Sequence, residues 1–294
     1  MWDRIEPLMP ADPVRGRRWA DHRRTLEAIA WKYRTNSPWR DLPDELGPFQ
    51  TAHKRLIRWA VDGTWEEILA AVLVAADADD EIDWIVSVDS TVVRAHQHAA
   101  GALKRGLRAA NEPADHALGR SRGGLSTNFH LAADGQARPL ALAVTAGQAG
   151  DAPAFETVMA RIRVPRSGPG RPRTRPTAVL ADRAYSSRVI RAHLRRRQIR
   201  AVIPQPSDQI GHRLRRRRQG GRPPGFDADA YKQRNTVERC INRLKHRRGL
   251  ATRTDKLAIA YQAALHLAAI FIWARRWPRR QNLAGSRLVL RACG

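Results

Sequence analysis

Apolar positions recur at helical spacing through the first quarter of the chain. In "FQTAHKRLIRWAVDG", Phe49, Ala52, Leu56, Ile57 and Ala60 fall on one side, and "WADHRRTLEAIAWKYRT" repeats the pattern. "TWEEILAAVLVAADA" predicts a third helix, opened by Thr64 three residues before Glu67 in the capping-box arrangement. The turn "SPWRDLPDELGP" separates the first two. Three short helices with His53, Lys54, Arg55 and Arg58 exposed on the second predict a helix-turn-helix-like module over residues 1–78. A plain helical cap on a larger domain is the alternative.

After the acidic linker "DADDEID" the period shortens. "WIVSVD" reads as a strand ending at Asp89, and "LSTNFHLAADGQARPLALAVTAG" as a hairpin of two alternating runs turning at Asp134-Gly135. A helix carrying Phe155, Val158, Met159 and Ile162 follows, then a Pro/Gly/Arg loop and the strand "TAVLAD" ending at Asp182. An arginine-rich helix over 187–198, a short strand "RAVIP" and a basic loop over 205–227 precede two helices, 228–248 and about 254–275. This order predicts an α/β fold over 79–275, a mixed sheet with helices on both faces, followed by a basic tail, 276–294. The stretch "LAIAYQAALHLAAIFIWA" is interrupted by Tyr261, Gln262 and His266 and reads as a buried helix, so no membrane partner is expected.

Charge sharpens the picture. The 294 residues carry 53 Lys or Arg against 28 Asp or Glu, a net +25 that implies a polyanionic partner, most simply nucleic acid. Between residues 187 and 248 there are 19 basic and 4 acidic residues, so the excess concentrates near the second-last helix. Two cysteines, Cys240 and Cys293, make neither a disulfide framework nor a zinc cluster. "MWDRIEPLMP" has acidic residues where a secretory signal is basic, and a cytoplasmic location is expected.

Asp89 and Asp182, at the ends of strands, can lie side by side, and a third carboxylate from a packed helix would complete a set of hard oxygen ligands. Such a set suits two Mg²⁺ or Mn²⁺ ions and in-line phosphoryl transfer. At about 100° per residue, Tyr231, Arg234, Glu238 and Lys245 of "YKQRNTVERCINRLK" fall on one arc, beside an apolar stripe of Val237, Cys240, Ile241 and Leu244. Taken alone, Glu238 would simply pair with Arg234 or Asn242 at four-residue spacing. Beside two strand-end aspartates and this charge, a ligand role is favoured.

These blocks resemble the DDE transposases of the bacterial insertion-sequence groups four and five. "VSVDSTVVRAHQHAAGA" is similar to the first-aspartate block, "VLADRAYSS" to the second, and "YKQRNTVERCINRLKHRRGLATRTDKL" to the glutamate block with its Y-(2)-R-(3)-E-(6)-K spacing. The N-terminal stretch "SPWRDLPDELGPFQTAHKRLIRWAVDGTWEEIL" is also similar to that group, and the likeness runs over roughly residues 2 to 275. It implies a ribonuclease H-like core, Asp89, Asp182 and Glu238 as catalytic metal ligands, and Tyr231, Arg234 and Lys245 assisting at the transposon end. The partners implied are double-stranded DNA, as terminal inverted repeats and target, with a homo-oligomer assembled on it near the nucleoid. The sequence departs from its relatives at Ala184, Ser186 and Asn128, where Gly, Asp and Lys are common; none of these removes a carboxylate.

Other signals are weaker. His96 and His98, with His116 or Asp89, could suggest a transition-metal site, but i, i+2 histidines diverge on a helix and no further ligand follows at zinc spacing. Ser87, Ser90 and Thr91 read as hydrogen-bonding neighbours of Asp89. The run Arg215, Arg216, Arg217 and Arg218 reads as part of a flexible arm that orders on DNA. Two rival functions remain: a non-catalytic DNA-binding derivative, and a nuclease or resolvase that cuts without joining.

Overall fold

The computed structural model describes residues 1–102 and 111–275; the tail 276–294 lies outside the described residues. After a short N-terminal helix come α1 (His22–Thr35), α2 (Phe49–Val61) and α3 (Thr64–Ala78). Of the apolar stripe anticipated on α2, Ala52 and Leu56 are buried and Phe49, Ile57 and Ala60 half-buried, while Trp59, outside that stripe, is buried as well. The start of α3 differs from the capping box expected of it. Gly63, at φ 85°, is the N-cap, and Asp62 Oδ1 accepts from both the amide and the hydroxyl of Thr64. The aspartate one residue upstream of the glycine serves where Thr64 was expected to.

The sheet that follows is seven-stranded and mixed. Its central strand is β1 (Ile85–Ala95), flanked by β2 (Gly124–Ala133) and then β3 (Pro139–Ala146) on one side, all antiparallel. On the other side β4 (Ala178–Leu180) and β5 (Arg200–Val202) run parallel to β1. Helix α4 (Asp151–Arg161) follows β3, α5 (Arg188–Arg196) links β4 to β5, and α6 (Ser207–Arg215) follows β5. Helix α7 (Asn235–Lys245) lies on β1 and β2, and α8 (Ala258–Ala274) packs between α2, α3 and β3. Among the described residues no helix is long and apolar enough to cross a membrane.

The expected hairpin forms, and Asp134 closes it. Its carboxylate, fully buried, accepts from the amides of Gln136 and Arg138 and from the Arg138 guanidinium. Gly135 is required by proximity: a Cβ there would stand 2.0 Å from Asp83 Oδ2. The alternation expected along β2 is absent, because it is buried on both faces from Ser126 onward. Helices cover each side of the sheet, so its polar residues must find partners inside.

One apolar core runs from Ile5, Leu56, Trp59 and Trp65 of the N-terminal helices to Val86, Phe129 and Phe155 of the sheet layers. Helix α8 supplies the link, as its near-complete burial requires, and the side-chain donors of Tyr261 and Gln262 find acceptors in place. Tyr261 donates to the Leu250 carbonyl at 2.8 Å and Gln262 to that of Leu142 at 3.2 Å.

Two expectations over the basic region change. The segment 205–227 is not all loop, since α6 and a 3₁₀ turn (Arg217–Gly220) form within it. The single helix expected over 228–248 is segmented into a short helix (Ala228–Tyr231), a 3₁₀ turn (Lys232–Arg234) and α7. The 3₁₀ turn advances the chain by three residues per turn instead of 3.6, so Tyr231 no longer keeps the phase of α7.

Candidate active site

Strand register sets the two aspartates. Ile85, Val86 and Ser87 pair with Ala178, Val179 and Leu180, so two residues further Asp89 and Asp182 occupy neighbouring positions. Asp89 is not at the end of its strand, as expected, but inside β1, which runs on to Ala95, and its Oδ1 accepts from the Ser90 amide at 2.9 Å. Asp182 leaves β4 in extended conformation and caps the 3₁₀ turn Arg183–Tyr185, accepting from the Ala184 amide at 2.8 Å. Glu238 comes from the first turn of α7, whose apolar stripe of Val237, Cys240, Ile241 and Leu244 is buried as anticipated.

A guanidinium joins two of the three carboxylates. Arg234 Nη2 donates to Asp89 Oδ2 at 2.7 Å, and its Nη1 donates to Glu238 Oε1. The bland pairing of Glu238 with Arg234 is therefore present, but the same cation also binds an aspartate 145 residues away. Asp89 is only 16% exposed, Glu238 48%. Burial pushes the Asp89 carboxyl above its ordinary range; the Ser90 amide and Arg234 pull it back, while Asp182 and Glu238 add to the rise. For Arg234, burial opposes the charge, yet Asp89, Glu238, Tyr231 and Asp182 hold its guanidinium above its ordinary value.

Among the described residues no three His, Cys, Asp or Glu side chains stand close enough to ligate one ion in this arrangement. The donors nonetheless suit a divalent cation. They are hard carboxylate oxygens, and two of them already converge on a positive group supplied by the chain.

Of the other expected residues, Lys245 and Tyr231 contact the strands that carry the aspartates, and the rest lie on α2 and at the end of α6. Lys245 Nζ donates to Thr91 Oγ1 at 2.5 Å and to the Val92 carbonyl at 3.4 Å, and burial lowers its pKa. Tyr231 packs on the Ala178, Leu180 and Val202 cluster with Phe226 against its ring. His53, Lys54 and Arg58 are at the surface of α2, and Arg215, Arg216, Arg217 and Arg218 are exposed at the end of α6. Arg55 corrects the expectation of exposure. It is 4% exposed, donates to His22 Nδ1 and the Ala20 carbonyl, and stacks on Trp19 and Trp59; burial, with Arg58 beside it, brings its pKa down to about 10. The histidines make no metal site: His96 caps a short helix and stacks on His98, while His116 pairs with Glu112 at 2.7 Å.

Sequence reasoning passed over a second polar cluster. Asp151, at the start of α4, accepts from Ser90 Oγ at 2.5 Å and from Asn128 Nδ2 at 3.3 Å. The buried Tyr185 hydroxyl is pushed well above its ordinary pKa by burial and by Asp151, Asp89 and Asp182. An acidic residue opening a helix is ordinary dipole complementation, so nothing in "AGDAPAFE" distinguished Asp151.

Comparison with known proteins gives the family. Residues 81–273 match the family model described as a transposase DDE domain, and residues 1–69 match "Putative transposase of IS4/5 family". The chain is 41% identical over 105 residues to "Uncharacterized protein y4sN" of Sinorhizobium fredii, covering 35% of this chain and 79% of that protein. It is 28% identical over 151 residues to "Putative transposase for insertion sequence element IS6501" of Brucella ovis, covering 51% of this chain and all of that protein. Among solved structures, "Mos1 transposase paired-end complex with left transposon end" covers 79% of this chain and 80% of its own at 10% identity. Its TM-score of 0.24 is too slight a likeness to bear on the fold. With residues 81–273 of 294 matched by one model, the chain belongs to the DDE transposase family and serves insertion-sequence transposition.

Proposed function

We propose that Asp89, Asp182 and Glu238 are the three acidic residues of this transposase, carried on a ribonuclease H-like core of the Y-(2)-R-(3)-E-(6)-K type. The supporting observation is the convergence of Asp89 and Glu238 on one guanidinium, with Asp182 at the adjoining strand position. The family is metal-dependent, generally through Mg²⁺ or Mn²⁺. Two such ions, bound when Arg234 withdraws, would supply Lewis-acid polarisation of the scissile phosphate and a nucleophile at neutral pH.

The chain's own groups position the reactants. Asp89 is oriented by the Ser90 amide and Asp182 by the Ala184 amide, so Asp89 would present Oδ2 once Arg234 withdraws, and Asp182 its second oxygen directly. Arg234, Lys245 and Tyr231 lie beside them and contact the backbone of the transposon end, while the helix-turn-helix-like helices bind the terminal repeat. Water attacks the phosphodiester at the element's end, breaking the P–O3′ bond and freeing a 3′-hydroxyl. That hydroxyl then attacks a target phosphodiester, displacing its 3′-oxygen. The protein works in the cytoplasm, at the nucleoid, as an oligomer on DNA.

The test is direct. Asp89→Ala, Asp182→Ala and Glu238→Ala should each abolish Mg²⁺-dependent cleavage and strand joining and leave end binding intact. Cleavage at the normal rate by any one of them would remove that residue from the reaction. Cutting without joining by the unmodified chain would favour a nuclease.

A further inference from the structure

We infer that the cleft between α5 and α6 is a second DNA-binding site, taking the phosphodiester backbone beyond the scissile phosphate. This rests on the proposed function. The cleft measures about 700 Å³ and is lined by Arg188, Arg191, Arg195, Arg213, Arg216 and Arg222, with no carboxylate on its walls. None of the six makes an ion pair among the described residues.

Local sequence explains the wall. Ile190 and Leu194 of α5 are buried, and Arg188, Arg191 and Arg195, at three- and four-residue spacing, share the adjoining face, with Arg188 and Arg195 exposed and Arg191 half-buried. Arg213 and Arg216, three apart at the end of α6, face them. The 3₁₀ turn closes tightly behind, since a Cβ on Gly220 would stand 2.1 Å from the Arg213 carbonyl oxygen.

Two features show that the cleft is built for an anion. Repulsion among six guanidinium groups disfavours the arrangement unless negative charge enters it. The Nε atoms of Arg191 and Arg213 are also buried without an acceptor. Phosphate oxygens meet both needs, and the planar guanidinium fork matches them in pairs.

The cleft is tied to the active site through Ser186, which ends the turn that Asp182 caps. Ser186 Oγ accepts from Arg191 at 2.9 Å and donates to Gln209 at 3.1 Å, and Gln209 donates back to the Ser186 carbonyl at 2.7 Å. Helix α7 packs on β1 and β2, with Lys245 held at Thr91, whereas α5 packs on β5 at the far edge of the sheet. DNA crossing the scissile phosphate therefore meets α7 on one side and the arginine cleft on the other. Since α7 takes the transposon end, the cleft takes flanking DNA before cleavage and target DNA during joining.

The full chain is tested by fluorescence anisotropy on two duplexes. One carries the terminal repeat, read from the DNA bracketing the gene, and stops at the cleavage position; the other adds flank of arbitrary sequence. In the triple variant Arg188→Gln/Arg195→Gln/Arg213→Gln the flanked duplex should bind with a shallower salt dependence. The slope of log K against log salt falls by about one for each phosphate that is no longer neutralised. The unflanked duplex should bind as before, and changing the flank's sequence should change nothing. Arg188→Gln and Arg195→Gln, both at exposed positions, repeat the measurement singly without risk to folding. Equal weakening on both duplexes, or no flank-dependent weakening at all, would overturn the assignment. A wild-type chain that shows the flank effect but fails to cleave with Mg²⁺ would instead refute the proposed function and leave the cleft standing.

Discussion

Arg234→Gln probes the centre of the site, because one guanidinium neutralises two carboxylates there. Opposite charges about 4 Å apart attract by roughly 4 kcal/mol at an effective dielectric near 20. Desolvation of both groups returns a large part of this. Deleting the guanidinium, and leaving a largely buried Asp89 facing Asp182 and Glu238, should cost about 1–3 kcal/mol. Glu238 is half exposed, so its share is small. At about 2–4 °C per kcal/mol for a chain of this size, the metal-free variant should melt several degrees below the parent.

The same balance of charge sets the response to metal. If the carboxylates hold the metal as proposed, a divalent cation must displace Arg234 in the parent chain and need not in the variant. Mg²⁺ should therefore bind Arg234→Gln more tightly, by up to the same energy, where each 1.4 kcal/mol is about tenfold. A thermal-shift titration with Mg²⁺ reads both effects: the variant starts lower and gains more. At saturating Mg²⁺ its DNA cleavage should still be impaired, because on the proposed reading the parent's guanidinium, once displaced, contacts the transposon end and the variant has none. An unchanged or weaker Mg²⁺ affinity in the variant would show that Arg234 does not hold the cation's place.

Three further outcomes follow from other parts of the molecule. Lys245→Gln should lower the salt slope of transposon-end binding by about one, read by anisotropy, without changing the Mg²⁺ response. His266 is held by burial, with Arg161 beside it, at about 3 against an ordinary 6.5. Its depressed folded pKa gives stability that is present above 6.5 and lost as pH falls towards 3, at up to about 1.4 kcal/mol per pH unit for one proton. His266→Gln should flatten denaturant-measured stability across that window. Gly249→Ala would place a Cβ 2.8 Å from the Tyr33 ring and 3.0 Å from its Cα, and should lower the melting temperature through an overpacking cost of about 1–3 kcal/mol.

What the sequence made legible was local or periodic. The β-branched run ending in Asp89, the strand before Asp182 and the apolar stripe of α7 each follow from composition and spacing over a dozen residues. What it hid depends on partners distant in the chain. Arg55 sits among exposed cations of α2, and only Trp19 and His22, brought over it by the fold, make it a buried residue. Arg253 belongs to a basic stretch yet is fully buried, its guanidinium donating to Thr127 and to the carbonyls of Ala117, Asp255 and Lys256. Helix α6 was masked because Ile210 and Leu214, its only periodic apolar pair, stand among arginines and stay exposed.

Charge balance explains the acidic residue inside a basic helix. Three carboxylates drawn towards one metal site would repel one another before any metal arrives; Asp89, raised first by burial, is raised further by Asp182 and Glu238. A cation supplied by the chain relieves that repulsion, but it must be able to leave. Arg234 meets both conditions, as it sits on the turn preceding α7 and its bond to Glu238 spans only four residues. On the proposed reading, metal and DNA would let the carboxylates exchange one positive partner for another while Arg234 gained a phosphate. A lysine there would supply the charge but could not bridge two carboxylates through separate planar nitrogens. Arg234→Lys should therefore keep part of the attraction to phosphate and forfeit the bridge, placing its metal-free melting temperature between those of the parent and Arg234→Gln.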